Sequence, residues 1–344
     1  MQSNNRNIPI EALRFLVMLQ ICFWHFSKGL GCMKVGYIGV EFFFILTGIF
    51  LYKIARKINS PGVISFSLNK VKKFYLAYVV ALVLCYCVKL PYIHELFTAD
   101  PLHEICRIIG QLLLIQNIGV VEGGINTPTW FFSILIYGGA IVYTLIKYYP
   151  KACIRIVFPI LTCLFYTSIF NFQDGPGLEQ WRVEVFFSMP FLRGVTDISL
   201  GVLIGYAFFS YQQIWQKYTK CLDALGIISS ILYVWIIFSG QKEAPYAILF
   251  ICMLLICCLN PDSRIHLIFK STKWLYLGNM AFDLFLIHVV LKFGIYAIGK
   301  YLYLTPLTQF LCYAVLLIPT AYMFRVLINA IQRYFPITKL KRLR

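Results

Sequence analysis

Residues 9–26 read PIEALRFLVMLQICFWHF, and this apolar stretch decides the fold class of the 344-residue chain. A helix rises 1.5 Å per residue, so these residues span about 27 Å, close to the roughly 30 Å hydrocarbon thickness of a bilayer. The stretch lacks the small-residue cleavage site of a secretory signal peptide. We therefore predict a retained transmembrane helix that Pro9 opens in its first turn, where proline is tolerated.

Three ionisable side chains interrupt this apolar run: Glu11, Arg14 and His25. Arg14 and His25 are about three helical turns apart, so they project from nearly the same face, about 16 Å apart along the axis. Glu11 lies one turn before Arg14, where the two can pair. Each such group costs about 3 kcal/mol or more in hydrocarbon and normally faces protein or a wet cavity. The alternative is that Arg14 snorkels to the headgroups and that His25 is a packing residue.

The chain as a whole is apolar, like this first stretch. Hydrophobic residues make up 60% of the chain, charged residues only 13%, and the mean hydropathy is +0.75; soluble domains average about 25% charged residues. We predict an all-α polytopic membrane protein, a single domain over residues 1–344 with about ten transmembrane helices. The later spans are predicted near residues 37–52, 74–90, 129–147, 153–170, 185–209, 222–239, 244–260, 274–298 and 306–329.

The net charge of +17 does not indicate nucleic-acid binding, because the basic residues form short clusters between apolar runs. That pattern is typical of cytoplasmic membrane loops. The twelve cysteines are scattered through apolar segments and predict neither a disulfide framework nor a zinc site. Cys22 and His25 lie one turn apart, but two ligands do not make a metal site, and we predict no metal.

The segment 102–126 decides the topology, because it is apolar yet contains several polar side chains. If it does not cross, both termini are cytoplasmic and 22 of the 31 Lys and Arg residues fall on the cytoplasmic side. If it crosses, every later loop inverts and the basic tail KLKRLR moves outside. We therefore predict a re-entrant or interfacial segment on the outer side. Arg14 then lies toward the cytoplasm and His25 toward the outside.

Several motifs occur in a defined order along the chain. The Arg14–His25 pair, preceded by Glu11, is followed by GVEFFFILTG (39–48) and by NKVKKFYLAY (69–78). Further on come TPTWFFSIL (127–135), RGVTDISLGVLIGY (193–206) and LGNMAFDLFLIH (277–288). Together these motifs resemble the bacterial acyltransferase-3 family of integral-membrane proteins, which O-acylate extracytoplasmic glycans.

The match to the family pattern has departures. Glu41 stands where the family has an aspartate, and Lys70 and Lys73 stand at two arginine positions. Leu76 replaces a proline, and the acidic residue that some members carry shortly after the tryptophan at Trp130 is missing. The first-span pair, the second-span run and the basic start of the third span are fairly specific in combination.

The resemblance implies transfer of an acyl group from cytoplasmic acyl-CoA to a hydroxyl of a surface glycan or its lipid-linked precursor. His25 is the predicted general base, since neutral imidazole is available near neutral pH and a sugar hydroxyl needs a base. Glu41, at a similar predicted depth, is the candidate for orienting the imidazole, as the third group of a triad does. The alternative is that Glu41 pairs with an arginine in a structural role.

Arg14 is too far from His25 to share one reacting centre, so we predict that it binds the anionic donor. Lys70 and Lys73 supplement it, unless they are merely loop lysines. Trp130 is predicted to stack on the sugar and His288 to contact substrate, although an aromatic belt and packing are the competing explanations. Acyl-CoA acts as a substrate, and no permanently bound cofactor is predicted. The expected location is the inner (cytoplasmic) membrane, with lipid as a partner.

A proton-coupled transporter or glycan exporter is the competing functional class, because intramembrane Arg, His and Asp are also usual in transporters. Asp197 and Asp283 have no assigned partner in the sequence. Transporters often show paired repeats, and no clear repeat relates the two halves of this chain. Acetyl is the expected acyl group; the resemblance leaves succinyl and others open, along with the acceptor sugar and the oligomeric state.

Overall fold

The structure is a computed structural model that describes residues 6–27, 31–119, 121, 123–170, 183–184, 187–240 and 244–334. Residues 171–182, between the predicted spans 153–170 and 185–209, and the C-terminal residues from 335, which include the basic tail KLKRLR, lie outside the described residues. The helices are α1 (Ile8–Ser27), α2 (Gly39–Ala55), α3 (Val63–Val88), α4 (Leu90–Ala99), α5 (Pro101–Leu112), α6 (Trp130–Tyr148), α7 (Pro150–Ala152), α8 (Phe158–Phe170), α9 (Met189–Ser210), α10 (Gln212–Lys217), α11 (Thr219–Ser239), α12 (Ala244–Leu259), α13 (Ile265–Ile268), α14 (Lys273–Tyr301) and α15 (Pro306–Tyr334).

The all-α polytopic prediction is confirmed. Within the described residues, nine helical segments are long and apolar enough to cross a bilayer, and α12 is a shorter apolar helix of 16 residues. Each of the ten predicted spans overlaps one of these helices. Besides the helices, the described chain contains a short antiparallel pair of strands, β1 (Val183–Glu184) and β2 (Phe187–Ser188), just before α9.

The third span begins earlier than the hydropathy pattern indicated. Helix α3 starts at Val63, directly after Pro61-Gly62, and runs for 26 residues that contain neither glycine nor proline. Lys70 and Lys73 therefore lie on the helix itself rather than in a loop before it. A helix fixes where these side chains project, whereas a loop does not.

The segment after α3 folds back instead of forming another long helix. Helix α5 has 12 residues and is about 18 Å long, too short to cross a bilayer. Asp100 caps it by accepting a hydrogen bond from the His103 amide at 3.0 Å. Beyond α5 the backbone enters the left-handed region at Leu114 and Asn117, and the Tyr78 hydroxyl on α3 donates to the Gln111 carbonyl at 2.7 Å. This geometry fits a re-entrant or interfacial segment held against α3.

Two closely packed helix pairs organise the core. In the first, α2 and α9 approach so closely that a Cβ on Gly48 would overlap the Ile198 carbonyl, and one on Gly201 would overlap the Ile45 carbonyl. Small residues at such crossings let transmembrane helix backbones touch. In the second pair, α1 and α14 run parallel, and a Cβ on Gly278 would overlap the Glu11 side chain. The candidate site lies along this second pair.

Candidate active site

A cavity of about 630 Å³ runs between α1, α2, α3, α6 and α14. That volume is within the range of small-molecule binding sites. Four cationic side chains line it, Arg6, Arg14, Lys70 and Lys73, and the residues that line it include no carboxylate. The structure thus brings together the three residues that the sequence predicted for the donor, and it adds Arg6.

One carboxylate behind the cavity wall holds the two arginines in place. Glu11 is buried, and its two oxygens contact the guanidinium groups of Arg14 and Arg6, each at 2.7 Å. Arg6 also donates to the Asn279 side chain on α14 at 2.7 Å. The i,i+3 pairing of Glu11 with Arg14 occurs as the spacing indicated. The Arg14 side chain remains 27% exposed, so its guanidinium is available to a ligand while its position is fixed.

The opposite end of the cavity is apolar and is lined by phenylalanine rings. Ile21 on α1 and Phe285 on α14 line this part, and Phe131 lies between Phe43 and Phe285, with ring centroids at 6.3 and 5.5 Å. His25 follows Ile21 by four residues, and His288 follows Phe285 by three. The cavity lining therefore reaches to within one helical turn, about 5 Å, of both histidines.

The two histidines face each other across the α1–α14 contact. Their ring centroids are 5.1 Å apart; His25 is half-buried and His288 is fully buried. His288 Nδ1 lies 3.1 Å from the Leu284 carbonyl and 2.9 Å from the Phe285 carbonyl. The Lys292 ammonium group donates to the backbone carbonyl of His25. A base candidate, a second imidazole and a cation are thus brought together at this end of α1.

Glu41 lies in a different cluster. Its Oε1 accepts a hydrogen bond from the buried Arg193 on α9, and its Oε2 has no hydrogen-bond partner within the described part of the chain. A direct hydrogen bond from Glu41 to His25, which the triad hypothesis needs, is therefore not made there. The structure instead shows the alternative, in which Glu41 pairs with an arginine.

The cluster around Arg193 extends to two further predicted features. Its guanidinium carbon lies 5.6 Å from the Tyr37 ring centroid and 6.0 Å from that of Trp130. One turn along α9, Asp197 is fully buried and accepts a hydrogen bond from the Tyr166 hydroxyl. Trp130 thus stands beside a buried guanidinium, and cation–π contact helps to hold its ring in place.

Three cations escaped the sequence analysis. Arg193 lies inside the predicted span 185–209, and an arginine in an apolar run was a signal that it needs a buried partner. Lys292 lies inside the predicted span 274–298 and carried the same signal. Arg6 precedes the first helix, where basic residues are common and carry no such signal. Asp283, left without a partner in the sequence, accepts from Arg325 on α15 at 2.7 Å. Within the described ranges, no three His, Cys, Asp or Glu side chains are grouped to hold a metal.

Comparison with known proteins adds one finding. A family model described as "Acyltransferase domain", that of the acyltransferase-3 family, matches residues 7–326 and so covers nearly the whole chain. The matched range includes α1 through most of α15, and with them the cavity and both histidines. No curated protein and no solved structure gives a significant match.

Proposed function

Because the chain belongs to the acyltransferase-3 family and is a membrane acyltransferase, we propose that it moves an acyl group from cytoplasmic acyl-CoA to a glycan hydroxyl on the outer side. Acetyl is the proposed acyl group, and the acceptor is a surface glycan or its lipid-linked precursor. The family match favours an enzyme over the transporter alternative. Donor, acceptor and direction are the parts that this proposal adds.

The observation that carries the donor assignment is the charge distribution along the cavity. One end presents four cations and no carboxylate, and the other is lined by apolar side chains. Acyl-CoA has the matching polarity, with phosphates at one end of a thin pantetheine arm and the acyl thioester at the other. The fork of Arg14 suits phosphate oxygens, and Lys70 and Lys73 add point charges. A basic cluster of this kind favours the cytoplasmic side.

The proposed chemistry takes place where the apolar end of the cavity approaches His25. His25 accepts the proton of the acceptor hydroxyl as its oxygen attacks the thioester carbonyl. Collapse of the tetrahedral intermediate breaks the carbon–sulfur bond, and the CoA sulfur leaves with the proton that His25 held. Lys292, at the His25 carbonyl, is a cation close to where the oxyanion develops. Trp130 offers a face for a sugar ring on the acceptor side.

The first test is acyl transfer by the purified protein in lipid nanodiscs, supplied with labelled acetyl-CoA and a lipid-linked or free glycan. Label appearing as an ester of the glycan, with one CoA released per ester, supports the proposal. A protein that releases no CoA and transfers no label from acetyl-, succinyl- or longer acyl-CoA would contradict the donor assignment.

The variant that accompanies this test is His25→Gln. Glutamine preserves size and some hydrogen bonding but cannot take up the proton usefully, and a positioned base contributes about 10² to 10⁴-fold. We expect at least a hundredfold loss of transfer at unchanged abundance in the membrane, with His25→Ala at least as severe. Near-normal activity of His25→Gln would move the base elsewhere.

A further inference from the structure

The hydrogen bonds of His288 determine which of its ring nitrogens carries the proton. Nδ1 faces the carbonyl oxygens of Leu284 and Phe285, at 3.1 and 2.9 Å, and both are acceptors only. Nδ1 must therefore be the protonated nitrogen, and in the neutral ring Nε2 carries a lone pair. Nε2 is buried and has no hydrogen-bond partner within the described part of the chain. A buried acceptor without a partner needs an explanation.

The group that explains it is the neighbouring imidazole. The ring of His25 lies 5.1 Å from that of His288, centroid to centroid, a separation at which a nitrogen of one ring can come within hydrogen-bond reach of a nitrogen of the other. We propose that His288 is a positioning residue: its Nε2 accepts a hydrogen bond from the second N–H of His25 and so stabilises the imidazolium formed during acyl transfer. This inference rests on the proposed function, and it gives His288 the role that the sequence suggested for Glu41.

The charged groups around His25 favour such an acceptor. Lys292 on α14 donates to the His25 carbonyl, and Lys89 at the end of α3 lies 3.8 Å from the Phe293 ring centroid. Tyr313 on α15 donates its hydroxyl hydrogen to the Cys22 carbonyl, and Glu41 is bound to Arg193. Cations near an imidazolium disfavour it, so a neutral acceptor with a fixed lone pair offsets part of that cost.

The proton inventory of the step is simple. The acceptor hydroxyl gives its proton to one nitrogen of His25, whose other N–H then donates to Nε2 of His288. The Nδ1–H of His288 remains hydrogen-bonded to the two carbonyl oxygens throughout, and His288 gains no proton. His25 finally passes its proton to the departing CoA sulfur.

Two amide substitutions at position 288 separate this role from packing. The asparagine amide reaches the place of Nδ1, so His288→Asn keeps a donor to the two carbonyls and loses the acceptor toward His25. The glutamine amide reaches the place of Nε2, so His288→Gln keeps an acceptor oxygen there and loses the bond to the carbonyls. A positioning role predicts that Gln retains more activity than Asn, with Asn reduced about 10²-fold in kcat at near-normal donor KM. A packing role predicts the reverse order.

The pH profile supplies a readout that packing does not move. His288→Asn removes an acceptor that favours the imidazolium, so we expect the acidic limb of kcat/KM for the glycan acceptor to move to lower pH. An unmoved limb, or higher activity of Asn than of Gln, overturns the proposal.

A measurement that needs no substrate keeps the proposal separate from the proposed function. In protein with nitrogen-15-labelled histidine, NMR should show that Nε2 of His288 is unprotonated. In a pH titration followed by the same signals, the midpoint for His25 should be at lower pH in His288→Asn than in the wild type. If wild-type protein transfers no acyl group but the midpoint falls, the acyltransferase proposal fails and the imidazole pairing stands. A protonated Nε2 or an unchanged midpoint overturns the pairing whatever the activity.

Discussion

The α1–α14 and α2–α9 helix pairs each contain a glutamate–arginine ion pair, but the arginine is partly exposed in the first and buried in the second. Each unites a glutamate near the start of one helix with arginine. Arg14 keeps 27% of its side chain exposed beside a cavity, whereas Arg193 keeps only 4% and is enclosed by aromatic rings and carboxylates. An arginine left open on a fixed carboxylate can bind a ligand, and one that is sealed can only cross-link helices. Exposure, more than residue type, therefore separates the binding region from the scaffold.

The largest effect that this comparison predicts is on stability. Arg193→Met leaves the buried carboxylate of Glu41 without the arginine that pairs with it, and breaking a buried pair from one side costs about 3–5 kcal/mol. Denaturant or thermal unfolding in detergent measures the loss. Arg14→Met is the matched control. Glu11 keeps its contact with Arg6 in that variant and Arg14 is partly exposed, so we expect a loss of only about 0–1 kcal/mol. Equal losses at the two arginines would remove the distinction between the pairs.

Donor binding gives the next largest effect. Arg14→Lys keeps the charge and loses the guanidinium fork, and hydrogen bonds to charged groups are worth about 1.5–3 kcal/mol. We expect the KM for acyl-CoA to rise roughly 10- to 100-fold, with the unfolding free energy unchanged. Arg56→Lys provides the same exchange at an arginine that bonds the Tyr52 hydroxyl and does not line the cavity. Unchanged donor kinetics for Arg14→Lys would assign Arg14 to snorkelling at the headgroups.

The smallest effect concerns the apolar end of the cavity. Phe285 lines the cavity and also contacts His288, with ring centroids 6.2 Å apart, so Phe285→Ala should enlarge the space next to the histidines. Each additional methylene buried there is worth about 0.8 kcal/mol, roughly fourfold in the kcat/KM for propionyl-CoA relative to acetyl-CoA. Phe282 lines the same cavity one turn nearer the start of α14, so Phe282→Ala should leave the ratio of kcat/KM for propionyl-CoA to that for acetyl-CoA nearly unchanged. The same shift in both variants would place the acyl group elsewhere.

The sequence predicted the elements of the binding region better than those of the scaffold. The spans followed from the length of the apolar runs. Arg14, Lys70 and Lys73 line one cavity, because charged side chains within a membrane are stable only where they face protein or water. For Glu41 the sequence left two alternatives open, the imidazole of His25 and an arginine in a structural role. Depth along a helix is readable from sequence, so His25 and Glu41 were placed at one level, but the direction in which each faces depends on packing. Glu41 faces α9, whose Arg193 is 152 residues further along the chain.

That separation along the chain has a consequence for how the protein is made. During synthesis α2 emerges well before α9, so Glu41 enters the membrane before its arginine exists. At about 5–20 residues per second, the 152 residues between them take roughly 8–30 s to translate. For that interval the nascent chain holds Glu41 without Arg193, and the glycine faces of α2 and α9 cannot yet meet. The joining of α2 and α9 therefore has to wait until α9 has been made, and a chain truncated before Arg193 would stop short of it.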